Sequence, residues 1–102
     1  MSVIVIVKFP GARTDRFKEV YDRNVELMKA ISAEGRSKGA IHHQFVEDAD
    51  GEVMVIDEWG SAAEFEAFFG AQEDIQKVVG EIGLTGQPST VSYQVLETPD
   101  RF

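Results

Sequence analysis

The segment that most constrains the fold runs from Val53 to Phe69, VMVIDEWGSAAEFEAFF, because its apolar pattern changes there from the period of a strand to that of a helix. Successive side chains of a strand point to opposite faces, so Asp57 and Trp59 share one face of this strand. That face is otherwise made of valines. A carboxylate is rarely buried without a partner, so Asp57 either lies at the wet end of the strand or lines a cavity.

The helical part of this segment begins at Ser61. Ser61 and Glu64 have the spacing of a capping box, in which each side chain satisfies a free backbone donor at the helix start. Phe65, Phe68 and Phe69 then follow at helical spacing and form one aromatic stripe. The stripe is typical of an ordinary core, and the alternative is the wall of a pocket that also contains the Trp59 indole.

Length and composition indicate one domain, residues 1–102, with a single hydrophobic core. The chain has no cysteine, which fits a reducing compartment, and we expect a cytoplasmic location. The opening apolar run of Val3–Val7 is too short for a signal peptide or a membrane span, so we expect no membrane association. Residues 41–102 hold two basic and thirteen acidic side chains, a net charge of −11 that argues against nucleic acid as a partner.

The rest of the chain alternates between strand and helix patterns. A long amphipathic helix is predicted from Thr14 to a closing Gly35, with Asn24 on its apolar stripe. The other predicted elements, in chain order, are a strand at Val3–Phe9, a strand at Ala40–Asp48, the strand at 53–59, a helix from Ser61 interrupted at Gly70 and ending near Gly83, and a strand at Thr90–Glu97.

The second and third strands are joined by the short turn DADG and are predicted to form a hairpin. If the loop holds an even number of residues, His42 and Gln44 share the face of Asp57 and Trp59. If the loop is odd and contains a bulge, His43 lies on that face instead. We favour the even register.

The order βαββαβ predicts the ferredoxin-like α+β fold, a four-stranded antiparallel sheet with its helices on one face. The other face is then bare and apolar, and a second copy of the chain packed sheet on sheet would cover it. The side chains expected on this face are Ile4, Ile6, Met54 and Ile56, joined by Ile41 and Phe45 in the even register.

Three stretches carry a resemblance to a known family: VKFPGARTDRF at the first strand-helix junction, G-x-x-x-H from Gly39, and IDEWGS leading into the second helix. With this order of elements, the chain resembles the dimeric α+β barrel superfamily and, within it, the antibiotic biosynthesis monooxygenase-like (ABM) domains. The resemblance covers nearly the whole chain. It implies a homodimer and a cleft between sheet and helices, lined by Trp59 and with Asp57 nearby.

Some members of the superfamily oxidise phenols with molecular oxygen and no cofactor, and the resemblance implies that reaction here. A base is then needed for the phenolic proton, with donors for the oxyanion and a dry aromatic wall. The predicted base is His42 or Asp57. The predicted substrate-binding residues are Trp59, Gln44, Asn24, Phe65 and Phe68.

Other members open haem, with a histidine on the second helix as the iron ligand, but this chain has Phe68 and Phe69 there. We therefore expect no haem, no other cofactor and no metal, since adjacent His42 and His43 point to opposite faces of a strand. The expected ligand is a small apolar or aromatic molecule. The alternative function is a non-catalytic ligand-binding or stress-associated dimer.

Overall fold

The computed structural model describes all residues from 1 to 102. Its elements follow the predicted order, with each of the two predicted helices divided into two. The elements are β1 (Val3–Arg13), α1 (Thr14–Arg23), α2 (Val25–Ser37), β2 (Ala40–Glu47), β3 (Glu52–Trp59), α3 (Ala62–Ala71), α4 (Glu73–Ile82) and β4 (Ser89–Gln94). The strands form one antiparallel sheet in the order β2-β3-β1-β4. The predicted ferredoxin-like fold is confirmed.

The first predicted helix is broken at Asn24 into α1 and α2, so the prediction of one continuous helix is wrong. The Asn24 side chain donates a hydrogen bond to the carbonyl of Val20 at 2.9 Å, and its backbone leaves the helical region at φ −124°. Short amides compete with helical backbone bonds in this way. Gly35 does not end the helix either. It lies inside α2, where a Cβ atom would come within 3.3 Å of the Phe68 ring, so a larger residue there would push this ring aside by a few tenths of an ångström.

The second predicted helix, which forms α3 and α4, begins and ends as predicted. The Ser61 hydroxyl accepts the backbone N–H of Glu64 at 3.1 Å, and Gly83 ends α4 in the left-handed conformation at φ 80°. The interruption between α3 and α4 falls at Gln72 and not at Gly70. The buried Gln72 amide donates to Glu34 of α2 at 2.8 Å, and this hydrogen bond connects the α3–α4 junction to α2.

The first strand is longer than predicted because an irregularity between Lys8 and Arg13 lets it continue past Pro10 and Gly11. Its odd-numbered residues from Val3 to Phe9 are buried, while Ile4 and Ile6 remain partly exposed. One face of the sheet is therefore covered by helices and the other is open. No helix is long and apolar enough to cross a membrane.

The register of the β2–β3 hairpin differs from the one we favoured. Glu47 pairs with Val53, so residues 48–52 form an odd loop of five, and the ladder is irregular between Ala40 and His42. His43 consequently pairs with Asp57, and His42 pairs with Glu58. The even register is wrong, and the odd alternative with a bulge is confirmed.

This register also changes the composition of the open sheet face. Phe45 lies on the helix-covered face, where its ring packs 4.8 Å from that of Phe17, so its predicted place on the open face is wrong. The open face carries instead the apolar side chains of Ile4, Ile6, Val46, Met54, Ile56, Val91 and Tyr93. Val91 and Tyr93, on the edge strand β4, are the most exposed of these.

Candidate functional site

The centre of the candidate site is the carboxylate of Asp57, which is buried with only 8% of its surface exposed. Its Oδ1 atom lies 2.8 Å from Nδ1 of His43, and its Oδ2 atom accepts the indole N–H of Trp59 at 3.1 Å. Both oxygens are therefore occupied. An ionised carboxylate in an apolar setting needs such donors, and these two account for its burial.

Local strand geometry brings the three side chains together. Asp57 and Trp59 are two residues apart on β3 and so share a face, and His43 lies directly across from Asp57 on β2. Cross-strand neighbours have Cβ atoms about 5 Å apart, which places an imidazole within hydrogen-bonding distance of a carboxylate.

The contact with Asp57 fixes the tautomer that a neutral His43 ring adopts. An ionised carboxylate can only accept, so Nδ1 carries the proton and Nε2 of the neutral ring keeps its lone pair. Nε2 has no hydrogen-bond partner in the protein, and the His43 side chain is 37% exposed. The ring also packs edge-on against Phe45, with centroids 5.1 Å apart. His43 is thus an oriented imidazole with a free basic nitrogen.

The Asp57 and His43 side chains lie in the wall of an internal cavity of about 90 Å³ between the sheet and the helices. Sixteen of its 20 lining residues are hydrophobic, and its polar side chains are Ser32, His43 and Asp57. The hydrophobic wall consists of Val7, Phe9, Phe17, Met28, Ile31, Ala40, Phe45, Val55, Trp59, Phe65, Phe68, Phe69, Ile75, Val78, Val79 and Ile82. Such a lining favours an apolar or aromatic ligand.

Four residues predicted for the site from the sequence line this cavity: Asp57, Trp59, Phe65 and Phe68. The rings of Phe65 and Phe68 lie 5.7 Å and 5.3 Å from the Trp59 ring and form a continuous aromatic wall with it. The strand-to-helix segment therefore does build one side of the cavity. The functional roles of these residues stay predictions.

Three other predicted residues lie elsewhere. His42 and Gln44 point to the open face of the sheet, opposite Glu58 and Ile56, because the hairpin register is shifted. The Asn24 amide donates to the carbonyl of Val20 and, at 3.1 Å, to Glu81, outside the cavity. These three side chains do not line the cavity of Asp57, contrary to the expectation from the sequence.

We expected the Trp59 indole N–H to donate to a ligand, but it donates to Asp57 instead. The ring is fully buried, and its single N–H is already engaged by Asp57. Trp59 therefore supplies an apolar wall and fixes the carboxylate. Ser32, Met28 and Phe45 are among the cavity residues that the sequence did not indicate, and Phe45 had been expected on the open sheet face.

Helix α3 presents Phe68 and Phe69 to the cavity and no imidazole. An axial ligand for haem iron would therefore have to come from another element. The expectation of no haem and no metal stays a prediction.

No family model and no curated protein matches the sequence. Solved structures do match. Rv0793 from Mycobacterium tuberculosis is 18% identical with a TM-score of 0.61, covering 98% of this chain and 100% of that one. A Streptomyces coelicolor monooxygenase, solved in complex with nanaomycin D, is 17% identical with a TM-score of 0.69, covering 95% and 89%. SnoaB, a cofactor-independent oxygenase from Streptomyces nogalater, is 14% identical with a TM-score of 0.60, covering 98% and 97%.

These similarities confirm at the level of the fold the resemblance predicted from the sequence. The chain shares the α+β fold of these two oxygenases and of solved structures described as antibiotic biosynthesis monooxygenases. Sequence identities of 14–18% carry no information on substrate or reaction.

Proposed function

We propose that this protein is a cofactor-independent oxygenase that oxidises a small hydroxylated aromatic molecule. The observation that carries the proposal is the His43–Asp57 pair, 2.8 Å apart, in the wall of an almost entirely apolar cavity. The shared fold with a cofactor-independent oxygenase supports the same reaction class.

In the first step, Nε2 of His43 takes the proton of the phenolic hydroxyl. The cavity contains no amide and no free indole N–H to hold the resulting anion. The protonated imidazole itself is therefore the counter-ion of the phenolate, and Asp57 stabilises the imidazolium through Nδ1–H. Both ion pairs gain strength from the apolar surroundings.

In the second step, molecular oxygen is the oxidant and the phenolate supplies all four electrons. One oxygen atom is inserted at a ring C–H, which becomes a carbonyl, and the hydroxyl carbon becomes the second carbonyl of a quinone. The other oxygen atom leaves as water, which takes the hydrogen of that ring C–H and the phenolic proton. His43 returns the phenolic proton to this water, so the site is regenerated without an external reductant.

The test is oxygen consumption with 1-naphthol, 1,5-dihydroxynaphthalene and anthrone, with and without a metal chelator. We expect one O₂ consumed per quinone formed, unaffected by the chelator. His43→Ala should lower the rate by about a hundredfold or more, because a positioned general base contributes that much. His42→Ala is the matched control, since this neighbouring imidazole points away from the cavity, and it should retain the wild-type rate.

The size of the cavity favours a second candidate function, ligand binding without turnover. An engineered apolar cavity of about 150 Å³ holds one benzene molecule, and the cavity here has about 90 Å³. A two-ring substrate requires the Phe68 and Phe69 side chains to move. Saturable binding of these aromatics with no oxygen consumption by the wild type would favour this alternative and reject the oxygenase.

We also propose that the protein is a homodimer that packs through the open sheet face. The apolar side chains of that face, including Ile6 and Ile56, are only partly covered in the single chain, which supports a sheet-on-sheet interface. Sedimentation should give twice the 11.3 kDa chain mass. Ile56→Asp should yield a monomer, whereas Ala63→Asp, with the same charge on an exposed position of α3, should not. A monomeric wild type at micromolar concentration would reject the dimer.

A further inference from the structure

A surface depression lies on the outer side of His43, between α2 and β2, and shares part of its wall with the internal cavity. Four side chains line both spaces: Met28, Ser32, His43 and Phe45. The internal cavity is too small for two fused rings, and this shared wall is the direction in which a longer ligand bound beside His43 can extend.

The depression differs from the cavity in its charge. Lys29 and Arg36 line it and no acidic side chain does, although the whole chain has a net charge of −8. The two residues are seven apart on α2, which places them on one face about 10 Å from each other. Arg36 has no ion-pair partner, and Lys29 has only a 3.9 Å contact with Glu26 in which both side chains are well exposed. Their charges are therefore available to a ligand.

We propose that the depression binds a carboxylate at the far end of an aromatic substrate whose hydroxylated ring lies in the cavity. Arg36 is the principal contact, because a guanidinium binds a carboxylate through two parallel hydrogen bonds, and Lys29 adds a second positive charge. The Ser32 hydroxyl, between them on α2, makes no hydrogen bond in the protein and lines both the cavity and the depression. The substrate class is then an aromatic hydroxy acid. This inference rests on the proposed binding of phenols beside His43.

The test compares 2-naphthol with 6-hydroxy-2-naphthoate by titration calorimetry at low ionic strength. These probes share the ring and the hydroxyl and differ in the carboxylate. We expect the naphthoate to bind about tenfold more tightly than the naphthol, and Arg36→Gln to remove most of this difference, since hydrogen bonds to charged groups have this strength. Lys29→Gln should remove a smaller part, and added salt should weaken only the naphthoate.

Lys77→Gln is the matched control, because it removes one positive charge from an exposed position of α4, a helix that contributes no residue to the depression. It should leave the preference intact, and no variant should alter naphthol binding. If naphthol binds but naphthoate has no advantage, or its advantage survives both Arg36→Gln and Lys29→Gln, the carboxylate site is refuted and the proposed phenol site stands. If neither probe binds, both proposals fail.

Discussion

Two histidine–acid pairs lie side by side in the same hairpin, on opposite faces of the sheet. On the helix-covered face, His43 contacts Asp57 at 2.8 Å, and on the open face His42 lies 3.9 Å from Glu58. Both acids are buried, with 8% and 7% exposure. The histidines differ, since the His42 side chain is 73% exposed and that of His43 is 37% exposed.

The two acids also differ in their hydrogen-bond partners, and these partners give the two pairs different roles. The Asp57 carboxylate is held by an imidazole and an indole inside an apolar wall. The Glu58 carboxylate is held by Ser2 at 2.5 Å and by Arg101 at 2.8 Å, side chains from near the two ends of the chain. Glu58 thus fastens the termini to the sheet, whereas Asp57 orients a base. Two neighbouring histidines and two neighbouring acids have different roles because each strand face meets a different environment.

The largest expected effect contrasts the packing of the two faces. Phe65→Ala should lower the free energy of unfolding by about 3–5 kcal/mol, because it leaves a void beside Trp59 in the core. Tyr93→Ala, on the open face, should cost less than about 1 kcal/mol in the monomer. Urea unfolding at several protein concentrations measures both. A Tyr93→Ala loss that depends on concentration indicates a dimer interface, and equal losses at high dilution would mean that the two faces are packed alike.

The second contrast is between the two acids in turnover of any phenol that the wild type oxidises. Asp57→Asn should lower the rate by about a hundredfold, or about 2.7 kcal/mol of activation free energy, because an amide neither fixes the tautomer of His43 nor stabilises its charged form. Glu58→Gln should change the rate by less than twofold. Steady-state oxygen consumption distinguishes the two variants. A larger loss of rate for Glu58→Gln would place the reaction on the open face of the sheet and contradict the proposed site.

A third contrast removes one donor from each acid. Trp59→Phe leaves Oδ2 of Asp57 buried without a partner and should cost about 1–3 kcal/mol of unfolding free energy. Arg101→Gln should cost under about 1 kcal/mol, because the Arg101 side chain is 40% exposed and Ser2 still donates to Glu58. Salt should reduce the Arg101 effect only. If Trp59→Phe is the milder change, the indole N–H does not stabilise the Asp57 carboxylate.

The smallest effect concerns the turn that joins the two strands of the hairpin. The backbone N–H of Glu52 donates to the Asp48 carboxylate at 3.0 Å and holds the pKa of that exposed group below its ordinary value of 3.8. A lowered folded-state pKa stabilises the protein above the unfolded-state value, and this stability is lost as pH falls through the folded-state value. Wild type should therefore exceed Asp48→Asn slightly in melting temperature at pH 5, with the gap closing below pH 3.8. A gap that widens in acid would contradict this assignment.

The sequence by itself determined the features that depend on neighbouring residues. The change of period at Ser61, the Ser61 cap, the end of α4 at Gly83 and the common face of Asp57 and Trp59 were all predictable. Each follows from backbone geometry within one element, where the period of a strand or helix relates residues a few positions apart. The order βαββαβ, and with it the fold, followed from counting these elements.

The tertiary structure alone decided which histidine meets Asp57. Alternation within β2 separates His42 from His43, but which of them faces the helices depends on the bulge at Ala40–His42 and on the five-residue loop before Val53. The same shift carried Phe45 to the cavity and Gln44 away from it. Register between strands is set by the sum of contacts over the whole sheet and by loop closure, so a slip of one residue exchanges the faces while leaving the pattern of each strand unchanged.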